Sequence, residues 1–516
     1  MSEDLTRRDF IKTTSMAALS MAIPADVFAA DNLSVKTRYG TFNGFVDKNG
    51  VKTWLGIPFA QSPVGKLRWQ DPQPLKPSNK SFDAKQFGFK PVQNYDDEGA
   101  SKIPESEDCL KLNIWKRGDG KNLPVMVFIH GGAFAFESAS DPLYHGGNFA
   151  AANDVVLVSL EYRMNVFGFM NLAAIDSAFE DCGCLGLKDQ IAGLQWVKEN
   201  ISAFGGNPDN ITIFGESAGS ISVMLLTIAS AAKGLFDKAI PQSGHVDFYN
   251  KPENSAQLAE QFLSTSGAKN LGELVKKSTD EIKAIYLQLS EVRGFSLADY
   301  LPTCDGKFLP ADPFKALKDG AARGIKFLTG TTADEWRCFL LVDENLFKLF
   351  RAEPQKNSPI FSQYKKRSNE EIYKSWLKNR SDTDDTYGDF ATQIDWRVGQ
   401  ELSAEYQSKF DDVYFYLFSE LSPIELVRSC HGVDLPFTLN NPDTLHPNPA
   451  QNLVKQVQAT WTAFAATGNP NNEFIPTWEK YSADNRQTME LNSKGCVCHK
   501  DFNTENLNAL RYVYED

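Results

Sequence analysis

The stretch NITIFGESAGSISVMLL, Asn210 to Leu226, constrains the fold more than any other part of the chain. An apolar, β-rich run reaches Gly215, a serine at 217 follows between small residues, and a helix-prone run begins at once. Alone, the pattern G-x-S-x-G is an ordinary turn. Between a strand and a helix it demands a reversal so tight that only small residues fit beside the serine, here Gly215 and Gly219. Such a turn lifts the Ser217 hydroxyl out at the sheet edge. It also aims a helix N-terminus, with its free N–H groups, at the same place.

The rest of the chain repeats the strand–helix rhythm. VMVFIH (125–130), VVLVSLEY (155–162), ITIFG, KFLTG and DDVYFYLFSE (411–420) read as strands buried on both faces. KDQIAGLQWVKENISAF (188–204) has helical spacing and stops at Gly205-Gly206. DKNG (47–50) marks a hairpin in a β-rich N-terminal part. Strands alternating with helices predict an α/β fold, a mostly parallel central sheet with helices on both faces. Two regions, about 250–300 and 340–405, lack the strand rhythm. They are expected to be helical insertions over the sheet's carboxyl edge, where open α/β sheets bind ligands.

The net charge of −13 argues against nucleic acid as a partner, because that binding rests on neutralising phosphates. Residues 1–29 read as an export signal. Arg7-Arg8 resembles a twin-arginine motif, a mildly apolar run follows, and V-x-A precedes a cleavage point after Ala29. This predicts a periplasmic or secreted bacterial protein, with one large domain over 30–516. No later stretch reads as a membrane-spanning helix. Of the eight cysteines, CGC (182–184) and CVCH (496–499) could together suit zinc, but C-x-C is tighter than usual zinc spacing. Buried or paired thiols are the expectation, with no metal.

A serine hydroxyl needs a base to become a nucleophile. On this fold the order along the chain is serine, acid, histidine. Of the histidines after Ser217, His245 comes too early, His446 lies in a proline-bound loop expected at the surface, and His499 follows the last cysteine pair. His431, in a short loop after the strongest late strand, is the expected base. The acid comes from the loop after KFLTG, as Asp334 or Glu335, and spacing alone does not choose between them. The loop FIHGGAF (128–134) supplies an oxyanion hole. Gly132, Ala133 and Ala218 are its expected N–H donors, with Gly131 shaping the turn.

Together these blocks resemble the type-B carboxylesterase family, α/β-hydrolases that include cholinesterases and bacterial para-nitrobenzyl esterases. GIPFAQSPVGKLRWQDPQP (56–74), SEDCLKLNIW (106–115), FGGNPDNITIFGESAG (204–219), GTTADEW and CHGVDLPF are similar to family motifs in order. The resemblance implies a serine hydrolase cleaving small carboxylic esters through an acyl-enzyme, with no cofactor. It aligns the family's acid with Glu335. It also implies ion pairs Arg68–Glu107 and Arg163–Asp189, and places Glu216 and Ser243 as polar residues near the base. Three departures stand out. Val92 occupies the position of a family cysteine that would pair with Cys109. The segment between them lacks a tryptophan, which removes the aromatic platform for choline. Trp336 replaces a glycine of the acid loop. Two other readings fit the same fold: a catalytically silent adhesion member, and a lipase for long acyl chains.

Overall fold

The structure, a computed structural model, describes residues 33–93, 101–179, 182–293, 298–341 and 369–515. The proposed export segment and part of the second insertion lie outside them. Among the described residues the strands are β1 (Leu33–Thr37), β2 (Gly40–Val46), β3 (Val51–Pro58), β4 (Ser81–Asp83), β5 (Lys111–Arg117), β6 (Leu123–Ile129), β7 (Val156–Leu160), β8 (Gly206–Glu216), β9 (Lys238–Gln242), β10 (Lys326–Thr332), β11 (Val413–Phe418), β12 (Thr488–Leu491) and β13 (Val497–His499). Their order across the sheet is β1-β2-β3-β5-β7-β6-β8-β9-β10-β11-β12-β13, with β4 against β2. Pairing is parallel from β7 through β12 and antiparallel at both ends.

The parallel strands are apolar because both faces are covered. Val125, Val127 and Ile129 of β6 point into one core, and Met126 and Phe128 into the other. The same alternation divides Val156 and Val158 from Leu157 on β7. The helices Leu185–Asn200 and Ala218–Ile228 contribute to the first core. The helix Gln451–Thr467 contributes to the second through Leu453, Val457, Trp461 and Phe464.

Local signals land close to their elements. The predicted helix at 188–204 is α-helical over Leu185–Asn200 and 3-10 over Ile201–Phe204, ending on Gly205 at φ 91°. In the β2–β3 hairpin the Asp47 carboxylate accepts the N–H groups of Asn49 and Val51. Around 250–300 lie the helices Pro252–Ser266 and Thr279–Arg293. The described part of the second insertion holds helices Asn369–Trp376 and Asp384–Thr392, a π-helical turn Gln393–Arg397, and helix Val398–Gln407.

Short β4, β12 and β13 have no distinct signal in the sequence, because a strand of three or four residues carries no long apolar run. The two cysteine pairs do not meet. CGC forms a 3-10 turn whose Cys182 and Cys184 lie in the first core, while Cys496 and Cys498 flank the second. Among the described residues no cluster of His, Cys, Asp or Glu is arranged to hold a metal, and no helix is long and apolar enough to cross a membrane. His446 departs from expectation: it is buried, its ring edge-on to Phe437 at 4.8 Å. Phe437, within the short helix Leu435–Leu439, packs against the ring of this proline-bound loop, a contact that loop composition does not show.

Candidate active site

Ser217 sits between β8 and the helix Ala218–Ile228 at φ 56°, ψ −122°. A non-glycine residue in this region stores of order 1–3 kcal/mol and persists only where its surroundings hold it. The Ser217 N–H donates to the Gln242 carbonyl at the end of β9, and its own carbonyl accepts from Ile221. The neighbouring glycines are sterically required. A Cβ on Gly219 would lie 2.0 Å from the Ile129 carbonyl oxygen, and one on Gly215 would lie 2.5 Å from that same atom. The helix therefore abuts β6, and the serine is left partly exposed at the sheet edge.

The carboxyl ends of neighbouring parallel strands carry the other polar groups. After β10, Glu335 is fully buried, and its Oε2 lies 2.6 Å from His431 Nδ1. Its Oε1 accepts from the Thr332 N–H and from the Ser243 hydroxyl, both at 2.7 Å. Ser243 follows β9, so it orients the acid, while Glu216 is the residue that meets the base. Asp334 turns away: it lies 3.5 Å from both Arg337 and Arg428 and accepts the Ser429 N–H. The structure thus separates the two acids that spacing left equivalent. With Nδ1–H donated to Glu335, a neutral His431 carries its lone pair on Nε2.

That Nε2 faces Glu216 Oε1 at 3.2 Å. Burial opposes a charged imidazole, but Glu216 and then the hydrogen bond donated to Glu335 outweigh it and push His431 up to about 9. Glu216 is itself pushed well above the carboxylate range. Burial is the main cause, His431 opposes it, and Asp434, Glu137 and Glu335 add to it. The two groups titrate as a pair, so a proton on one weakens the other's hold.

The loop after β6, the expected source of oxyanion donors, is tightly turned. Gly132 has φ 88°, and a Cβ there would lie 2.0 Å from the Phe136 carbonyl oxygen. Its carbonyl accepts from Ala135 and Phe136, while Ala133 and Phe134 follow at φ 50° and 58°. The Tyr162 hydroxyl donates to the carbonyls of His130 and Gly131, which fixes the orientation of these peptides. Ala218 opens its helix, so its N–H has no partner within the helix.

Some of the surroundings had no sequence signal. Trp396, in the π-helical turn, lies over His431 with ring centroids 4.3 Å apart. Arg397 in the same turn donates to the Thr332 carbonyl at 2.6 Å, fastening the turn to the end of β10. Trp336 is buried, and its indole N–H donates to Asp395 at 2.8 Å. Its bulk therefore packs under the turn that carries Trp396. His245 is fully buried against the Asp395 carbonyl, and His499 on β13 pairs with Glu490 on β12. The ion pairs implied by resemblance are formed and buried. Arg163 and Asp189 make two 2.7 Å hydrogen bonds, and Arg68 Nε meets Glu107 at 2.7 Å. Cys109 and Val92 are both buried, and Cys109 is a free thiol.

Comparison with known proteins gives one consistent answer. The profile of the carboxylesterase family matches residues 31–510. A para-nitrobenzyl esterase of Bacillus subtilis is 36% identical over 479 residues, covering 89% of this chain and 95% of that protein. An acetylcholinesterase of Danio rerio is 30% identical, covering 92% and 87%. Among solved structures, a carboxylesterase of Geobacillus stearothermophilus superposes with a TM-score of 0.82 at 34% identity, over 92% of this chain and 99% of that one.

Proposed function

Because the chain belongs to the carboxylesterase family and is a serine ester hydrolase, we propose that Ser217, His431 and Glu335 carry its reaction. Ser217 Oγ attacks the ester carbonyl while His431 Nε2 takes its proton. The carbonyl oxygen, now negative, is held by the N–H groups of Gly132, Ala133 and Ala218, with Gly131 setting the loop. Each such donor typically contributes about 2.7–4 kcal/mol to the transition state. The tetrahedral intermediate collapses. The bond to the alcohol breaks, and His431 gives the alcohol its proton. Water then attacks the acyl-enzyme by the same route and releases the acid. Glu335 holds the tautomer and stabilises the imidazolium, and Ser243 and Thr332 hold Glu335.

The observation that carries this reading is the strained Ser217 on its elbow, next in the chain to Glu216, whose carboxylate lies 3.2 Å from an imidazole bonded at 2.6 Å to buried Glu335. The substrates are small esters without a choline requirement. The protein is exported through the twin-arginine signal of residues 1–29 to the periplasm or beyond, and it engages no nucleic acid. The test is labelling with a fluorophosphonate and hydrolysis of esters of graded acyl length, each against Ser217→Ala. Labelling and hydrolysis that vanish together in the variant support the assignment. An unlabelled Ser217 in the folded protein overturns it.

A further inference from the structure

Two buried titratable groups take no part in the reaction: His130, just past β6, and Glu161, just past β7. Ile129 and Leu160 pair in register at the ends of these parallel strands, so the residues that follow them are neighbours. His130 Nε2 lies 3.4 Å from Glu161 Oε2. Neither atom has another hydrogen-bond partner among the described residues.

The other ring nitrogen settles how the pair is arranged. His130 Nδ1 lies 3.1 Å from the Gly131 carbonyl oxygen. A carbonyl can only accept, so Nδ1 carries a hydrogen. In a neutral ring that leaves a lone pair on Nε2 facing a carboxylate oxygen, away from water. Two facing lone pairs repel, so the two atoms hold one proton between them. The second oxygen of Glu161 is also engaged: Oε1 accepts the Ser138 hydroxyl at 2.7 Å. One carboxylate therefore spans the oxyanion loop from His130 to Ser138.

The Gly131 carbonyl accepts a second time, from the Tyr162 hydroxyl at 3.3 Å, and the Tyr162 ring stacks on His130 with centroids 4.5 Å apart. The Gly131 carbonyl and the Gly132 N–H belong to one planar trans peptide and point opposite ways. Holding that carbonyl on His130 and Tyr162 turns the Gly132 N–H away from them.

We infer that Glu161 is a positioning residue for the oxyanion hole: its carboxylate, set across the loop, locks the His130 ring with Nδ1–H on the Gly131 carbonyl, and that carbonyl fixes the direction of the Gly132 N–H. The inference rests on the assignment of Gly132 as an oxyanion donor. Without the carboxylate, Nε2 has no partner. The other tautomer then turns a lone pair on the Gly131 carbonyl and releases the peptide.

An oxyanion donor acts on the tetrahedral species more than on bound ester. The readouts are kcat and KM for a chromogenic short-chain ester, and inhibition by a trifluoromethyl ketone, which adds to the serine as an oxyanion. The matching methyl ketone is the control. Glu161→Met keeps the length of the side chain without its oxygens. In the folded variant kcat should fall about 10- to 100-fold, with KM within about threefold. Binding of the trifluoromethyl ketone should weaken by a similar factor, and that of the methyl ketone should hold. Glu161→Gln can still accept from Ser138 and donate to Nε2, so it should recover most of both losses. Tyr162→Phe keeps the stack but removes one bond to the same carbonyl, and should show a smaller loss in both readouts. An unchanged kcat in Glu161→Met, a kcat loss without the matching loss of ketone binding, or a Gln variant as poor as Met overturns the inference. If the Met variant does not fold, a Tyr162→Phe variant with no loss in either readout overturns it. A parent that binds the two ketones alike sinks the oxyanion assignment itself, and this inference with it.

Discussion

The indole of Trp396 lies over the imidazole of His431, ring centroids 4.3 Å apart and planes inclined at 39°. A π-helical turn interrupts the helix Asp384–Thr392 before Val398–Gln407 resumes, and that interruption points the indole at the site. Stacking of aromatic rings contributes about 0.5–1.5 kcal/mol beyond their burial. Trp396→Ala should therefore lower kcat by about three- to tenfold, because the imidazole loses a wall that fixes its plane. Trp396→Phe should recover most of the loss. Steady-state kinetics on folded variants decides this, and an unchanged kcat for the alanine variant refutes it.

Asp334 and Glu335 are adjacent in sequence but face opposite ways. Glu335 reaches His431, and Asp334 reaches Arg337 and Arg428. Glu335→Gln keeps the shape but loses the charge that holds Nδ1–H and stabilises the imidazolium, so kcat should fall by about 10³–10⁴. Asp334→Asn should leave kcat within about threefold and act on stability instead, by about 1 kcal/mol or less for a partly exposed ion pair. Equal losses in the two variants would contradict the assignment.

His446 makes a prediction about acid stability. Burial pushes it down to about 4, from an ordinary value near 6.5. Between those values the unfolded chain binds a proton that the folded protein excludes, so this residue's contribution is present above about pH 6.5 and is lost as pH falls toward 4. The full loss is about 3 kcal/mol. Buried carboxyls raised by the fold, such as Asp141 near 7 and Asp443 near 6, act with the opposite sign and complicate the absolute curve. The comparison of the parent with His446→Leu cancels them. Denaturant unfolding at pH 7 and pH 4.5 should show the parent losing more stability than the variant. Parallel losses would mean that His446 titrates normally.

Much of the fold was legible because the signals are local. A strand buried on both faces must be apolar throughout, and the elbow must be small where the helix abuts β6, as the 2.0 Å clash at Gly219 shows. Those demands act within a few residues of chain, so they are written in order along the sequence. Ser217, Gly132 and the loop bearing His431 could be found this way.

What tertiary structure decided were the meetings of residues far apart. Whether Asp334 or Glu335 points at the imidazole depends on Ser243 from another strand and on two arginines that compete for Asp334. His446 is buried because Phe437 packs against it, although its own loop reads as surface. Trp336 reaches Asp395 and Trp396 covers His431 only because the π-helical turn of the insertion is fastened to the end of β10. The sequence alone determined which chemistry the chain carries and on what scaffold. The side-chain orientations and the electrostatics around the base arise from contacts that form only once the sheet is assembled.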